Sequence, residues 1–185
     1  MTYLMRKNLP RYECLLEAAQ LYPELDPTAC EAFLHLLRTG NDVTHEVEAY
    51  FAKHNLTQGR FFVLMLLMDR LNQVPVARTP AELADISGVT RATMTGLIDT
   101  LEKDELVTRE PDPKDHRMVS VKITSKGEFV LKEIVPGHLK TMSSLMRHLS
   151  DAERKTLVTL LGKVLRAVDQ DKNQNSATAA SHAHV

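Results

Sequence analysis

Between Met94 and Leu101 the apolar residues Met94, Leu97, Ile98 and Leu101 stand at i, i+3, i+4 and i+7. That spacing lines one stripe of an amphipathic helix. At about 100° per residue, Ala92, Gly96, Asp99 and Lys103 fall opposite the stripe, flanked by Thr93 and Thr95. A shorter helix precedes it, with Leu83, Ala84 and Ile86 predicted to face inward. Gly88 lies between the two, where a turn with positive φ meets no Cβ, and Thr90 carries the side chain of an N-cap. The segment therefore predicts helix, tight turn, helix. After it, Val119, Val121 and Ile123 alternate with Ser120, Lys122 and Thr124, the pattern of a half-buried strand. Leu106, Val107 and Arg109 supply its partner strand, and the charged run PDPKDHR lies between them.

Helical spacing dominates the rest of the chain. Leu15, Leu16, Ala19 and Tyr22 predict a helix over 10–22, and Phe33, Leu36, Leu37, Val43, Val47, Tyr50 and Phe51 a long one over 29–54. A helix over 58–72 contains VLMLLM without a polar break, which marks it as central. Pro75 and Pro80 bracket an extended connection. Phe129, Val130, Ile134, Leu139, Met142, Leu145, Met146 and Leu149 predict a further helix, bent at Pro136. The last carries Leu157, Leu160, Leu161, Val164, Leu165 and Val168. Ser125 with Glu128, and Ser150 with Glu153, read as capping boxes. From Lys172 the chain turns polar and small, which predicts a disordered tail.

Composition narrows the class. Hydrophobic residues make up 43% of the 185, and aromatics only 5% with no Trp, so a β-rich fold is disfavoured. The fold expected is mainly α with a small β-wing: a winged helix-turn-helix core plus a helical dimerisation lobe. The net charge of -1 gives no support for nucleic acid, so that reading rests on local arrangement. No acid occurs between positions 87 and 96, whereas Asp99, Glu102, Asp104 and Glu105 crowd the C-terminal half of the second helix. Such a helix suits insertion N-terminus first into a major groove, where its dipole adds positive potential. Thr90, Arg91, Ala92, Thr93, Thr95 and Gly96 form the expected reading surface. In the charged loop, Lys114 and Arg117 are placed to reach phosphates or a narrow minor groove.

Other chemistries find little support. The sequence contains no nucleophile elbow, phosphate loop or HExxH motif, and Val47, Glu48 and Ala49 after His45 and Glu46 break the metalloprotease spacing, so no enzyme is expected. His35, His45, Glu46, Glu48 and His54 spread along one helix without paired ligand spacing, and neither metal nor cofactor is expected. The start lacks a signal-peptide run, and the longest apolar stretch, 61–68, is too short to span a bilayer. A cytoplasmic protein with no membrane partner is expected.

The residues Leu101, Leu106, Val107, Arg109, Asp112, Pro113, Asp115 and Arg117 read L-x4-L-V-x-R-x2-D-P-x-D-x-R, and Ile123, Thr124, Lys126 and Gly127 follow as I-T-x-K-G. In this stretch the chain resembles the multiple-antibiotic-resistance regulator (MarR) family of winged-helix proteins, more weakly as far as about residue 165. The resemblance implies a wing of Lys114, Asp115, His116 and Arg117, with Arg117 as the family's wing arginine and Asp115 its nearby acid. It implies a homodimer in which the first helix and the last two interlock with a second copy, through Leu157, Leu161, Val164, Leu165 and Val168. It divides the chain into an N-terminal helical extension (1–27), dimerisation helices (28–56 and 127–171), a winged core (57–126) and the tail (172–185). A small-molecule effector, of unknown identity, would bind between the helical and winged lobes and alter the separation of the two recognition helices.

Two positions depart from the pattern. His116 stands where the family often has a second arginine, which makes wing charge depend on pH. Glu105 replaces a glycine that wants positive φ, so a different helix end is expected. The added N-terminal helix is similar to that of a urate-responsive branch, which carries a Trp there that this chain lacks. The expected function is a sequence-specific DNA-binding regulator, a ligand-responsive repressor acting as a homodimer on a pseudo-palindromic operator. Two other readings remain open: a winged-helix adaptor without DNA binding, and a redox-sensing regulator acting through Cys14 or Cys30.

Overall fold

A computed structural model describes residues 9–69, 74–111 and 118–182, with side chains described as far as residue 170. Among them the chain forms helices α1 (Tyr12–Leu21), α2 (Pro27–Ala52), α3 (Gln58–Leu66), α4 (Pro80–Ser87) and α5 (Arg91–Lys103). Strands β1 (Val107–Pro111) and β2 (Val119–Ile123) follow, then α6 (Ser125–Leu145) and α7 (Asp151–His182). The mainly helical fold with one small antiparallel sheet is the one the sequence predicts. The chain divides into two compact units, one running through Thr141 and the other starting at Met142.

In the first unit the core gathers around α3. Phe61, Val63, Leu64 and Leu67 are buried there, together with Phe51 of α2, Leu83 of α4, and Met94, Ile98 and Leu101 of α5. Each such side chain contributes about 1.5–3 kcal/mol by leaving water. The aromatic rings of Phe51 and Phe61 and the imidazole of His138 stand 4.7–5.1 Å apart by centroid, joining α2, α3 and α6. Tyr50 extends this cluster and donates its hydroxyl to the Ile134 carbonyl at 2.7 Å. The His138 Nδ1 is buried in the cluster without a hydrogen-bond partner among the described residues.

The sheet pairs Val107 with Ile123 and Arg109 with Val121. Val121 also exchanges backbone hydrogen bonds with Arg78, at 3.0 and 2.8 Å, so the connection after α3 adds a third line of pairing. On β2 the burial is not the simple alternation expected. Val119 is 47% exposed, and Ser120 is buried on one face of the strand as Val121 and Ile123 are on the other. Ile86, expected inward, is 54% exposed at the last turn of α4, where Leu83 and Ala84 already fill the contact.

Helix starts reveal further differences. Thr79 and Glu82 make a complete capping box with Pro80 in the first turn of α4, so the extended connection expected up to Pro80 ends in a defined helix start. At α6 the cap is Thr124, whose Oγ1 accepts from Gly127 N at 3.1 Å; Ser125, the expected cap, is already helical. Pro136 lies within α6.

In the second unit Ser150 and Glu153 form the reciprocal cap that the sequence predicts. Arg154 donates to the Met146 carbonyl at 3.0 Å, tying the start of α7 to the preceding turn. On α7, Leu157 is half-buried, while Leu161, Val164, Leu165 and Val168 are exposed. The helix continues to His182 instead of ending at Lys172. Polarity predicts disorder there, yet the stretch holds Ala177, Ala179 and Ala180 and neither Gly nor Pro, so nothing in it breaks a helix.

Candidate nucleic-acid interface

The helix-turn-helix is built by local chemistry. Gly88 caps α4 in the left-handed region at φ 66°, and Val89 N returns to the Ala84 carbonyl at 3.2 Å. Thr90 then caps α5, its Oγ1 accepting from Thr93 N at 3.1 Å. Met94, Ile98 and Leu101 are fully buried and Leu97 half-buried, which fixes the rotation of α5 about its axis. Burial of that stripe leaves Arg91, Ala92, Thr93, Thr95, Gly96, Asp99 and Lys103 exposed. All the reading-surface residues named from the sequence thus share one accessible region. Thr93 Oγ1 lies 2.9 Å from Thr90 Oγ1, and Thr95 Oγ1 donates to the Arg91 carbonyl at 2.9 Å. The Thr95 hydroxyl oxygen keeps a free face able to accept from a base amino group.

Beside this surface a cleft of about 330 Å³ separates α5 from the wing root, lined by Arg91 and Thr95 on one side and Met118 and Val119 on the other. The wing residues Lys114, Asp115, His116 and Arg117 lie outside the described residues.

The helix end that should differ does not. Asp104 caps α5 and Glu105 takes the left-handed conformation at φ 60°. Leu106 N bonds the Leu101 carbonyl at 2.9 Å and Glu105 N bonds the Glu102 carbonyl at 2.9 Å, the paired closure of a Schellman motif. A glutamate occupies the glycine position at some conformational cost, and its carboxylate accepts from Lys126 Nζ at 3.0 Å.

The acids of α5 and its cap also have partners that sequence reasoning missed. Arg109 of β1 donates to Asp99 at 2.6 Å and to Glu102, and Arg60 of α3 donates to Asp104. Burial opposes the Arg109 charge, but the hydrogen bonds to Asp99 and Glu102 outweigh it and hold the guanidinium above its ordinary pKa. Arg60 and Asp104 stand far apart in the chain, so no local spacing could have paired them.

Elsewhere in the first unit, a cavity of about 290 Å³ opens between α3 and α6, with Met65, Met68, Leu131 and Val135 as its apolar floor and Asp69, Glu128 and Lys132 at its edge. Cys14 is exposed and Cys30 half-buried, both as free thiols. Among the described residues no group of three or more His, Cys, Asp or Glu is placed to hold a metal, and no helix is long and apolar enough to cross a membrane.

A sequence model of the MarR family matches residues 56–119, from the start of the winged core to β2. The HTH-type transcriptional repressor YetL of Bacillus subtilis is 36% identical over 167 residues, covering 90% of this chain and 98% of that protein. The chain belongs to the MarR family. It is a DNA-binding transcription regulator, and the matched stretch contains α5 and β1. Solved MarR-family structures superpose on it. A variant of Escherichia coli MarR in complex with operator DNA matches with a TM-score of 0.60 at 25% identity, over 80% of this chain and 96% of that one. BpsR of Bordetella bronchiseptica, whose DNA binding is regulated by 6-hydroxynicotinic acid, matches with a TM-score of 0.60 at 29% identity, over 70% and 90%.

Proposed function

We propose that this MarR-family chain is a repressor that binds a pseudo-palindromic operator as a homodimer and releases it when a small molecule binds. The observation that carries the reading is the exposed, acid-free N-terminal half of α5. Arg91, Thr95 and Gly96 stand accessible there above a fully buried Met94, Ile98 and Leu101, so the helix can enter a major groove without disturbing the core. The exposed apolar side of α7, with Leu161 and Leu165, supports pairing with a second copy. Two copies would present two recognition helices to successive grooves.

The cavity between α3 and α6 supports an effector site. Its apolar floor with charged groups at the rim suits a small, mostly apolar molecule with one polar end. That BpsR responds to a small aromatic acid agrees with this reading. Neither metal nor cofactor is invoked, and the protein acts in the cytoplasm, where the DNA is.

A mobility-shift titration with the duplex upstream of the chain's own gene tests the function. Specific retardation in the nanomolar range is expected, at a stoichiometry of two chains per site. Binding no tighter than to unrelated DNA would favour an adaptor instead. Replacing Leu161 and Leu165 with Asp should abolish the folded dimer in size-exclusion chromatography with light scattering. A stable folded monomer of the unmodified chain at micromolar concentration would refute the dimer.

A further inference from the structure

The wing and the recognition helix must meet one DNA half-site together, so their mutual angle has to be fixed. Backbone pairing holds β1 to β2, but nothing in that pairing reaches the exposed side of α5. The described residue that does so from β1 is Arg109. Its Nη2 stands 2.6 Å from Asp99 Oδ1, and its Nη1 donates to Glu102 Oε2. Asp99 and Glu102 lie one turn apart on α5, so a single planar guanidinium spans two anchor points on the helix. Arg109 itself pairs with Val121, the residue that also bonds Arg78. The side chain is therefore held by the sheet at its base and by α5 at its tip. Two residues further on, at Pro111, β1 ends.

Asp99 is 57% exposed and Glu102 40% exposed, so these ion pairs add little to stability. On electrostatics alone they are also unfavourable for a helix that approaches phosphates. Two acids on the recognition helix make sense when their use is geometric.

We infer that Arg109 is a positioning residue, whose fork to Asp99 and Glu102 sets the angle between wing and recognition helix so that both engage the same half-site. The inference rests on the operator binding proposed above. Lysine at this position keeps the charge but loses the fork, since an ammonium is a point donor on a flexible stem.

The test measures affinity for the duplex upstream of the chain's own gene, and for an unrelated duplex, at several salt concentrations. Arg109→Lys is expected to weaken specific binding about tenfold, the scale of one lost contact set. It should also flatten the slope of log affinity against log salt by about two units, because a phosphate contact is lost at the wing of each half-site although no charge is removed. Asp99→Asn with Glu102→Gln should weaken binding too, despite removing two negative charges from the DNA-facing helix. Thermal melting of each variant close to that of the unmodified chain excludes a merely structural effect. Arg109→Lys with unchanged affinity and slope, or tighter binding by the Asp99→Asn, Glu102→Gln variant, would overturn the inference while leaving operator binding intact. If the unmodified chain prefers neither duplex, operator binding itself fails and the inference falls with it.

Discussion

Replacing Gly96 separates what this residue does for folding from what it does for DNA. Gly96 lies in the middle of α5, on its exposed side, and nothing stands within 4 Å of the position a Cβ would take. A glycine inside a helix costs about 0.5–1 kcal/mol relative to alanine through backbone entropy. Since a side chain here meets open space, Gly96→Ala should recover that amount and raise the melting temperature by about 1–4 °C. Gly96→Gln should be nearly as stable, because glutamine is a good helix former. DNA binding should move the other way. A side chain of that length on a surface that approaches base edges displaces the contact at one base step in each half-site, at about 1–3 kcal/mol each. For two half-sites the loss is at least about 2 kcal/mol, roughly 30-fold in affinity. Differential scanning fluorimetry and fluorescence-anisotropy titration of an operator duplex measure the two effects on the same sample. A Gly96→Gln protein that melts higher and binds its operator as tightly as before would show that this side of α5 does not face DNA.

Three further outcomes follow from the backbone and the half-buried histidine. Gly127→Ala should destabilise the fold, since its Cβ would stand 2.3 Å from the Leu106 carbonyl oxygen and 2.7 Å from Ile123 Cγ1. The strain of about 1–3 kcal/mol exceeds the roughly 1 kcal/mol gained in helix propensity, and an unchanged denaturant midpoint would contradict the close approach. Glu105→Gly should relieve up to about 1 kcal/mol at φ 60°, partly offset by loss of the exposed Lys126 pair, so a small rise in stability is expected and a loss would contradict it. Burial lowers the pKa of His138 below its ordinary 6.5, so the unfolded chain takes up the proton more readily than the folded one. Its contribution to stability is therefore fully present above about pH 6.5, declines as pH falls below that, and levels off once pH is below the folded value. Urea midpoints at about pH 7.5 and about pH 5.5 should differ less for His138→Phe than for the unmodified chain, and an equal difference would refute the assignment.

Local rules make the exposed side of α5 legible in the amino-acid sequence itself. The i, i+3, i+4, i+7 stripe from Met94 to Leu101 fixes which side of α5 faces inward, and the exposed side follows by exclusion. Gly88 and Thr90 mark the turn because positive φ and an N-cap hydroxyl are properties of single residues. The spacing from Leu101 to Gly127 carries the family, because it combines a helix end, a hairpin and the next helix start in one short segment. These features depend on residues a few positions apart, so the chain determines them on its own.

Tertiary structure decided what depends on partners distant in sequence. Arg60 of α3 reaches Asp104 across 44 positions, and Lys126 reaches Glu105 across 21. Glu105 keeps the left-handed conformation that its residue type disfavours, because the paired hydrogen bonds from Glu105 and Leu106 into the last turn of α5 hold it there. His138, Phe51 and Phe61 meet only because α2, α3 and α6 converge. Ser120 is buried and Val119 exposed because the path of β2 relative to the core, and not hydrophobicity alone, sets which side chains point inward. Periodicity reports one element at a time, whereas these contacts exist only after the elements have packed, and that is why the sequence alone could name the exposed side of α5 but not the groups that hold it in place.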